Sequence, residues 1–493
     1  MKVLLAIFIW SIFTLIGVGQ NKYDYTWTFG KNFGNNKNLN RIYFSDTGII
    51  KIDSLQSNFN IFGDKTFICN QDGDPIVLFT NCSILDSQLD TMYGNYTLKS
   101  NRRNYWCFDP IDYYYPYDQS MIILPDNHKK NIFPILLMDI ASIERDQDSL
   151  KALDYGILYS MEMNLTNTIS KRLVNNWNQV HFDTFAPGHL TACLQDNGKD
   201  WWIIVPLDAS VCYLIYEYTS AGLNILGRTC VGSKIYGYSD GISSTSFSPD
   251  RTKYARYCPE YGIQLFDFDS KTGAINRPKY FHEEGGRQPF GGICFSPDSK
   301  LLYVFSIDSL YQYDLTSDHV ESSGILIDTL DRSTGKTNIS AFNSGRIGPD
   351  GRIYIGGLAG GQYLSVINNP NCRGKKCELI QQAVRLPGNH DYTMTYAPYF
   401  YDFKGVRECK ETNSVDSKEA NLKVFEKRGD LIYYNFKDKS GWISIYSING
   451  KLIKTMKNVS PSGVISIEDY TPGAYLIQAN WGTFHYEYKL VKN

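Results

Sequence analysis

The chain has 493 residues, a formal net charge of -2 and 43% hydrophobic residues. Single cores rarely grow to this length, so we expect several domains or one large repeating domain. The near-neutral charge excludes the strong basic field that draws proteins to phosphate backbones, and nucleic acid is not an expected partner. Tyrosine and glycine are abundant, with 37 and 40 copies, which favours strands and tight turns.

The N-terminus has the pattern of a secretory signal peptide over residues 1–19. Lys2 precedes an apolar run from Val3 to Ile16, and Gly17 and Gly19 put small side chains before a cut at Gln20. The run is shorter than the roughly 18 residues that span a bilayer. We therefore expect an exported mature chain without a transmembrane span.

Eleven cysteines follow, and an exported protein meets an oxidising compartment that permits disulfides. Cys372 and Cys377 flank a short Arg-Gly-Lys-Lys loop, so they are the predicted disulfide pair. A zinc site is disfavoured because no second pair lies at ligand spacing nearby. Most other cysteines, such as Cys212 and Cys294, lie in apolar strand-like runs and are predicted to be small buried hydrophobes.

One turn phrase recurs along the chain: Ser-Phe-Ser-Pro-Asp ends at Asp250, Cys-Phe-Ser-Pro-Asp at Asp298 and Arg-Ile-Gly-Pro-Asp at Asp350. Weaker acidic copies precede them at Asp72, Asp126 and Asp196. The intervals between successive acids, from Asp72 to Asp350, are 54, 70, 54, 48 and 52 residues. The predicted blade-turn residues are Asp72, Asp126, Asp196, Pro249, Asp250, Pro297, Asp298, Pro349, Asp350 and Gly351.

Each repeat has the organisation of a β-propeller blade. A strand enters the Pro-Asp turn, a second strand leaves it, and a third alternates at period two, as in Gly262–Asp269. Three or four short strands in about 50 residues are typical of a blade. We predict an all-β propeller of about seven blades, with six or eight possible. The segments Tyr23–Phe29 and Tyr396–Phe403 are predicted to share the closing blade.

The phrases Ile293–Ser306 and Ile347–Gly356 resemble the WD-repeat-like propellers of secreted Bacteroidetes proteins. The resemblance extends from about Gly156 to Gly388. It implies a propeller displayed outside the cell.

The last 73 residues break the period. A polar linker is predicted at 406–420, after a propeller at 20–405, and a small β-sandwich at 421–493. An Asn449-Gly450 turn between alternating strands predicts a hairpin, and Pro472-Gly473 marks a second turn.

This segment resembles the type A C-terminal sorting domain of the type IX secretion system. The matching residues are Ile443, Ile445, Tyr446, Asn449, Gly450, Ile467, Pro472, Gly473, Tyr475, Lys489 and Lys492. The resemblance implies that the domain is an address read by type IX machinery, with the protein secreted or attached to the outer cell surface.

Few residues are candidates for a catalytic or metal-binding site. His181 and His189 lie eight apart, and His282 precedes Glu283 and Glu284. A metal site needs three or four converging ligands, which sequence alone does not show, so exposed loop residues are the favoured interpretation. Asp72 and Asp74 are interpreted as a turn because the further ligands of a calcium loop are missing. No catalytic, metal or cofactor site is predicted.

Two functions remain open. The first is a non-enzymatic propeller that binds a protein or a glycan; the aromatic stretch Asn104–Gln119 is either its stacking surface or packing between blades. The second is an exported lyase or hydrolase acting on polysaccharide, with its site at the central channel mouth. The two hypotheses differ in whether ionisable side chains converge at that mouth.

Overall fold

A computed structural model of the chain describes a set of residue ranges that leaves gaps in both halves of the protein. These are residues 21–30, 38–56, 63–80, 83–92, 119–145, 152–165, 177–186, 188–235, 244–282, 290–332, 341–357, 361–390, 394, 396–400, 403, 407–409, 425–428, 430–435, 441–447, 451–481 and 484–492. The signal-peptide prediction, residues 104–118 of the aromatic stretch, Glu283, Glu284, Asn449 and Gly450 lie outside them.

The chain divides into two compact units, residues 1–409 and 410–493. Both are built from antiparallel strands. Among the described residues, the helical elements are short 3-10 turns at Val320–Ser322 and Gly374–Cys377.

The described residues of the first unit form seven antiparallel sheets, which we call blades 1 to 7 in chain order. Blades 1 and 2 have three strands each: β1 (Thr26–Phe29), β2 (Asn38–Ser45) and β3 (Gly48–Gln56), then β4 (Lys65–Cys69), β5 (Pro75–Thr80) and β6 (Ile84–Asp86). Blade 3 contains β7 (Met121–Ile123), β8 (Ile132–Arg145), β9 (Ala152–Asn164) and β10 (Asn178–Asp183). Blade 4 contains β11 (Thr191–Leu194), β12 (Trp201–Pro206), β13 (Cys212–Thr219) and β14 (Gly222–Cys230).

The remaining three blades have four strands each. Blade 5 contains β15 (Thr245–Phe247), β16 (Lys253–Cys258), β17 (Gly262–Asp269) and β18 (Ala274–Phe281). Blade 6 contains β19 (Gly292–Phe295), β20 (Leu301–Ser306), β21 (Ser309–Asp314) and β22 (Ile325–Thr329). Blade 7 contains β23 (Ser344–Ile347), β24 (Ile353–Gly356), β25 (Tyr363–Ile367) and β26 (Leu379–Arg385).

Within each blade, consecutive strands are hydrogen-bonded neighbours. Burial falls from the first strands to the last: β19 and β20 are buried throughout, whereas β22 has one buried residue among partly and fully exposed ones. The continuous apolar runs of the inner strands and the mixed outer strands therefore follow from a sheet that is covered on both faces at its inner end.

The blades pack against one another in a ring. The first strands of neighbouring blades are in contact, as in β11 with β15, β15 with β19 and β19 with β23. Blade 7 closes on blade 1, where the Tyr354 ring lies 5.7 Å from that of Trp27 and 5.3 Å from that of Phe44. The main-chain N–H of Gly388 also donates to the Asn40 side chain at 2.7 Å. The all-β propeller prediction is confirmed; the sheet count covers the described residues alone, so the number of blades stays a prediction.

The predicted pairing of the two flanking segments in one closing blade is wrong. Strand β1 pairs with β2, whereas Tyr396 makes a parallel bridge with Thr66 of blade 2. The two segments still touch, since the rings of Tyr23 and Phe400 lie 5.6 Å apart. Sequence alternation does not specify which neighbour an inner segment meets, and in the second segment it produces an isolated bridge rather than a strand.

The second unit is a sandwich of two sheets over its described residues. One sheet has the order β27-β28-β31 and the other β30-β29-β32-β33. Their bounds are β27 (Phe425–Arg428), β28 (Leu431–Asn435), β29 (Gly441–Ser447), β30 (Leu452–Val459), β31 (Ser462–Ser466), β32 (Gly473–Trp481) and β33 (Phe484–Lys492). The core between the sheets contains fully buried isoleucines such as Ile432, Ile443, Ile445 and Ile477. The predicted C-terminal β-sandwich is confirmed.

Candidate functional site

The repeated Pro-Asp phrase forms the turn between the first and second strands of blades 5, 6 and 7. In blade 5 the Ser248 hydroxyl donates to Asp250 at 2.6 Å, and Asp250 also accepts the N–H of Thr252 at 3.1 Å. Blade 6 repeats this arrangement with Ser296 and Asp298 at 2.6 Å. Pro249, Pro297 and Pro349 precede the turn acids; Asp72, Asp126 and Asp196 lie at the same position in blades 2, 3 and 4.

In blades 5, 6 and 7, the residue after the turn acid adopts a left-handed backbone. Its φ is 63° at Arg251, 62° at Ser299 and 74° at Gly351. Glycine reaches this region without the steric cost that a Cβ brings. The third copy of the phrase therefore contains the residue best suited to the turn.

Neighbouring turns are linked around what we call the turn face, the end of the ring where first strands turn into second strands. The Ser299 hydroxyl accepts the N–H of Asp250 at 2.9 Å. Asn371 accepts the N–H of Asp298 at 3.0 Å, and Arg407 donates to the Asp350 carbonyl at 3.0 Å. The repeats therefore specify both a local turn and a contact with the next blade.

Residues 394 and 396–400 of the chain itself lie at the centre of the ring. Together with the described residues 403 and 407–409, we call them the closing segment. The N–H of Tyr396 donates to the Lys65 carbonyl at 3.0 Å, and that of Met394 to the Ser344 hydroxyl at 2.8 Å. The Tyr396 hydroxyl is hydrogen-bonded to that of Thr191. These contacts reach blades 2, 4 and 7, so the segment crosses the axis.

A buried ion pair fixes the closing segment to both ends of the ring. Arg346 of blade 7 lies 3.1 Å from Asp24 and donates to the Ala397 carbonyl at 2.8 Å. The side chains of Arg346 and Asp24 are 6% and 1% exposed. The guanidinium also lies 5.4 Å from the Trp27 ring, a distance at which cation–π attraction adds to the pair.

Tyr399 fills the channel beside residues at one repeated position. Ser246, Cys294 and Arg346 occupy the same place in three copies of the turn phrase. The Tyr399 hydroxyl is hydrogen-bonded with the first two, and burial raises the pKa of Tyr399 well above its usual value. Burial likewise raises the pKa of Tyr396 to about 12. A cavity of about 90 Å³ remains in the channel, too small for a sugar or a peptide.

A larger polar depression lies on the turn face, and we call it the basin. It measures about 570 Å³ and is formed by the first turns of blades 2, 3 and 4. Its polar lining includes Asn70, Gln71, Asp72, Asn127, His128 and Lys130. Gln71, Asp72, His128 and Lys130 are exposed.

Two contacts hold the basin wall in place. Asn127 donates to the Lys199 carbonyl at 3.1 Å, and His128 lies 2.6 Å from Asp200. Beneath them Asp126 accepts the N–H groups of His128 and Lys129. The wall therefore spans two blades.

Tyr218 supports the basin from below. Its hydroxyl lies 3.2 Å from Asp126 and 3.0 Å from Glu162. Burial, followed by the two nearby carboxylates, raises the pKa of Tyr218. The phenol therefore stays protonated and bridges strand β13 to blade 3.

The candidate histidines do not form one site. His181 lies in the outer strand β10, 3.6 Å from Asp183; His189 is buried before the inner strand β11; and His282 follows the outer strand β18. Within the described residues, no three His, Cys, Asp or Glu side chains are arranged to hold a metal ion. Asp72 and Asp74 belong to a turn whose N–H groups are both accepted by the Asn70 side chain at 2.9 Å.

Two cysteine predictions are wrong. Cys372 is joined to Cys409, 37 residues away, and Cys377 is a buried free thiol. The 3-10 turn Gly374–Cys377 places Cys377 in the blade core, and the closing segment brings Cys409 to Cys372. Cys212 is not a free hydrophobe either, because it is joined to its register partner Cys230 across β13 and β14. Cys294 is buried and free as predicted.

The sorting-domain residues are divided between the core and one end of the sandwich. Ile443, Ile445, Ile467 and Tyr475 are buried, and the Tyr475 hydroxyl donates to the Thr471 carbonyl at 2.5 Å. Tyr446 is half-buried in β29. Pro472 precedes β32 and Gly473 begins it, and both are exposed. Lys489 and Lys492 lie on β33.

Sequence comparison identifies this second unit. Residues 416–493 match the family described as a secretion system C-terminal sorting domain. A comparison of the chain with curated proteins finds no match. Among the described residues, no helix has the length and apolar character needed to cross a membrane.

Several solved structures share features of the fold. A putative 6-phosphogluconolactonase from Bacteroides uniformis is 11% identical at a TM-score of 0.40, covering 74% of this chain and 97% of that one. The Swd1 β-propeller domain from Myceliophteria thermophila is 11% identical at 0.37, covering 68% and 90%. PorZ, a surface component of the type-IX secretion system of Porphyromonas gingivalis, is 10% identical at 0.34, covering 94% and 57%. Similarities this low carry no argument about function.

Fold and tail together define a class: β-propeller proteins exported from the cell. Residues 416–493 are a type IX C-terminal sorting domain, which implies export by that system, with secretion or surface attachment as its outcome. The domain also indicates an origin in the Bacteroidetes.

Proposed function

We propose that the protein is an exported binding module whose propeller holds a glycan or protein ligand in the basin, after delivery by the type IX system. The observation that carries this proposal is the closing segment. It fills the axis with the chain's own tyrosines and leaves the basin as an open polar concavity on the described surface.

The chemistry of the basin suits a hydroxyl- or amide-rich ligand. Asn70, Gln71 and Asn127 supply both donors and acceptors, Asp72 supplies an acceptor, and Lys130 a donor. Such groups set ligand orientation and specificity in binding sites. Because the wall is held by bonds between blades 3 and 4, little ordering of protein groups is needed when a ligand binds.

The polysaccharide lyase or hydrolase hypothesis gains no support from the channel mouth. The three histidines proposed for it lie on separate elements of the described chain.

Array binding with the mature full-length chain tests the proposal. We expect a reproducible glycan or protein hit that weakens at least about tenfold when Gln71→Ala and Lys130→Ala are combined, because each removed polar contact is worth about 1 kcal/mol. The matched control is Lys279→Ala, an exposed residue of the outer strand β18, which should leave binding unchanged. A hit whose affinity is unchanged by the double substitution would show that the ligand binds outside the basin. The absence of any hit on both arrays would contradict the proposed binding function.

A further inference from the structure

The penultimate lysine of the chain is folded into the sandwich. The Lys492 ammonium donates to the Ile467 carbonyl at 2.6 Å and to the Glu468 carbonyl at 2.5 Å, and it lies 3.9 Å from an Asp430 carboxylate oxygen. Its side chain is 11% exposed. An ammonium has three donors, and here three acceptors surround it.

These acceptors belong to segments that are distant in sequence. Ile467 starts the connection from β31 of one sheet to β32 of the other, and Asp430 precedes β28. The N–H of Ile467 donates to the Asp430 carbonyl at 2.9 Å, and that of Tyr470 to the Ile467 carbonyl at 3.0 Å. Lys492 therefore ties the last strand to the connection between the sheets and to the start of β28.

A second lysine reinforces the same end of the sandwich. The Lys427 ammonium donates to the Val491 carbonyl at 2.6 Å. The last strand is thus fixed from β27 as well as through Lys492. Lys489, by contrast, is exposed on β33, where its backbone pairs with Leu476. The two lysines that match the sorting-domain pattern therefore have different surroundings.

We propose that Lys492 is a positioning residue of the sorting signal. It holds the end of β33 and the connection at Ile467 and Glu468 as one folded surface, and the export machinery reads that surface rather than a linear run of positive charge. The proposal rests on the export function of the sorting domain. A lysine near the end of a chain can stabilise the fold through its hydrogen bonds or attract a partner through its charge, and the proposal assigns the first role to Lys492.

The test uses the full chain, expressed in a bacterium that has a type IX system, with the exported and cell-retained fractions measured by immunoblot. We expect Lys492→Met to lower the exported-to-retained ratio about tenfold, because all three contacts of the ammonium are lost and hydrogen bonds from a charged donor are stronger than neutral ones. Lys492→Arg, which keeps the charge and several donors, should restore at least half of export. Lys489→Met removes the same charge three residues away and should leave export within about twofold, because it breaks none of the bonds that Lys492 makes.

A stability control separates positioning from general loss of folding. Ile432→Val removes one methyl from the fully buried core and is expected to lower the urea midpoint without removing any bond of Lys492. Urea unfolding of both purified variants places them on one stability scale. If export simply follows stability across Lys492→Met and Ile432→Val, the positioning role is overturned.

Two further outcomes would also overturn the inference. Equal export loss in Lys492→Met and Lys489→Met would mean that the tail is read as charge, and wild-type export of Lys492→Met would mean that the bonds are dispensable. Deletion from Lys410 onward distinguishes these results from failure of the export function. If that deletion leaves export intact, the sorting role itself fails, whereas blocked export with equal lysine variants removes this inference alone.

Discussion

Replacing Arg346 by methionine tests whether the buried ion pair holds the ring closed. The substitution keeps most of the apolar length of the side chain but leaves the Asp24 carboxylate, 1% exposed, without its guanidinium partner. It also takes the 2.8 Å donor from the Ala397 carbonyl. Breaking a buried pair from one side costs about 3–5 kcal/mol.

We therefore expect the free energy of unfolding to fall by about 4 kcal/mol, a large part of the roughly 5–15 kcal/mol that stabilises a typical protein. The assay is urea unfolding at pH 7 followed by tryptophan fluorescence, since Trp27 lies beside the pair. The matched control is Arg332→Met, which removes an exposed pair with Asp308, whose two side chains are 66% and 51% exposed. Exposed pairs contribute about 0–1 kcal/mol.

The double variant Arg346→Met with Asp24→Asn makes the test specific. Neutralising the stranded carboxylate should recover at least about 1.5 kcal/mol, because an unpaired buried charge dominates the loss. The reasoning is refuted if Arg346→Met behaves like Arg332→Met, or if the double variant is no more stable than Arg346→Met alone.

Three further outcomes are expected from the same unfolding measurements. Gly351→Ala should cost about 1 kcal/mol, because its φ of 74° is strained for a residue with a Cβ; an unchanged midpoint would contradict this. Cys409→Ser opens a loop of 37 residues and should cost up to about 4 kcal/mol by the chain-entropy relation, an effect that mild reduction of the wild type should reproduce. Burial raises the pKa of the Cys69 and Cys294 thiols to about 12. Their contribution is complete below the unfolded thiol pKa near 9 and is lost as pH rises toward 12. We therefore expect stability to decline less steeply across pH 9–12 in a chain with both replaced by alanine than in the parent, because buried tyrosines such as Tyr396 still add a decline of their own; equal slopes would contradict this.

The repeated turn phrase was sufficient to predict the propeller, because Pro-Asp favours a tight turn and a tight turn between two alternating segments pairs them as antiparallel strands. The phrase also contained a signal that was not used. Ser246, Cys294 and Arg346 occupy one repeated position, and all three lie beside Tyr399 in the channel. A position that varies from hydroxyl to thiol to guanidinium within a regular repeat indicates an irregular neighbour, which is the closing segment.

Other features depend on long-range contacts that periodicity does not encode. Arg346 and Asp24 are 322 residues apart, and Asn40 and Gly388 are 348 apart. The Cys372 pairing failed for the same reason, since loop length favoured Cys377 while the folded path delivered Cys409. Similarly, the basin joins the first turns of three blades, so its residues are not adjacent in the sequence.

The position of the closing segment affects the order in which the protein can be completed. Tyr396 and Tyr399 follow all seven described sheets in the sequence. A ribosome-bound or prematurely ended chain that stops before them therefore contains these seven sheets but lacks the closing segment. Bringing segments so distant in sequence together has a large entropic cost, and the contacts between them therefore form slowly. Incomplete chains would therefore leave the apolar inner strands exposed to solvent. Because the sorting domain is translated after the closing segment, any chain that contains the sorting domain also contains the residues that complete the ring.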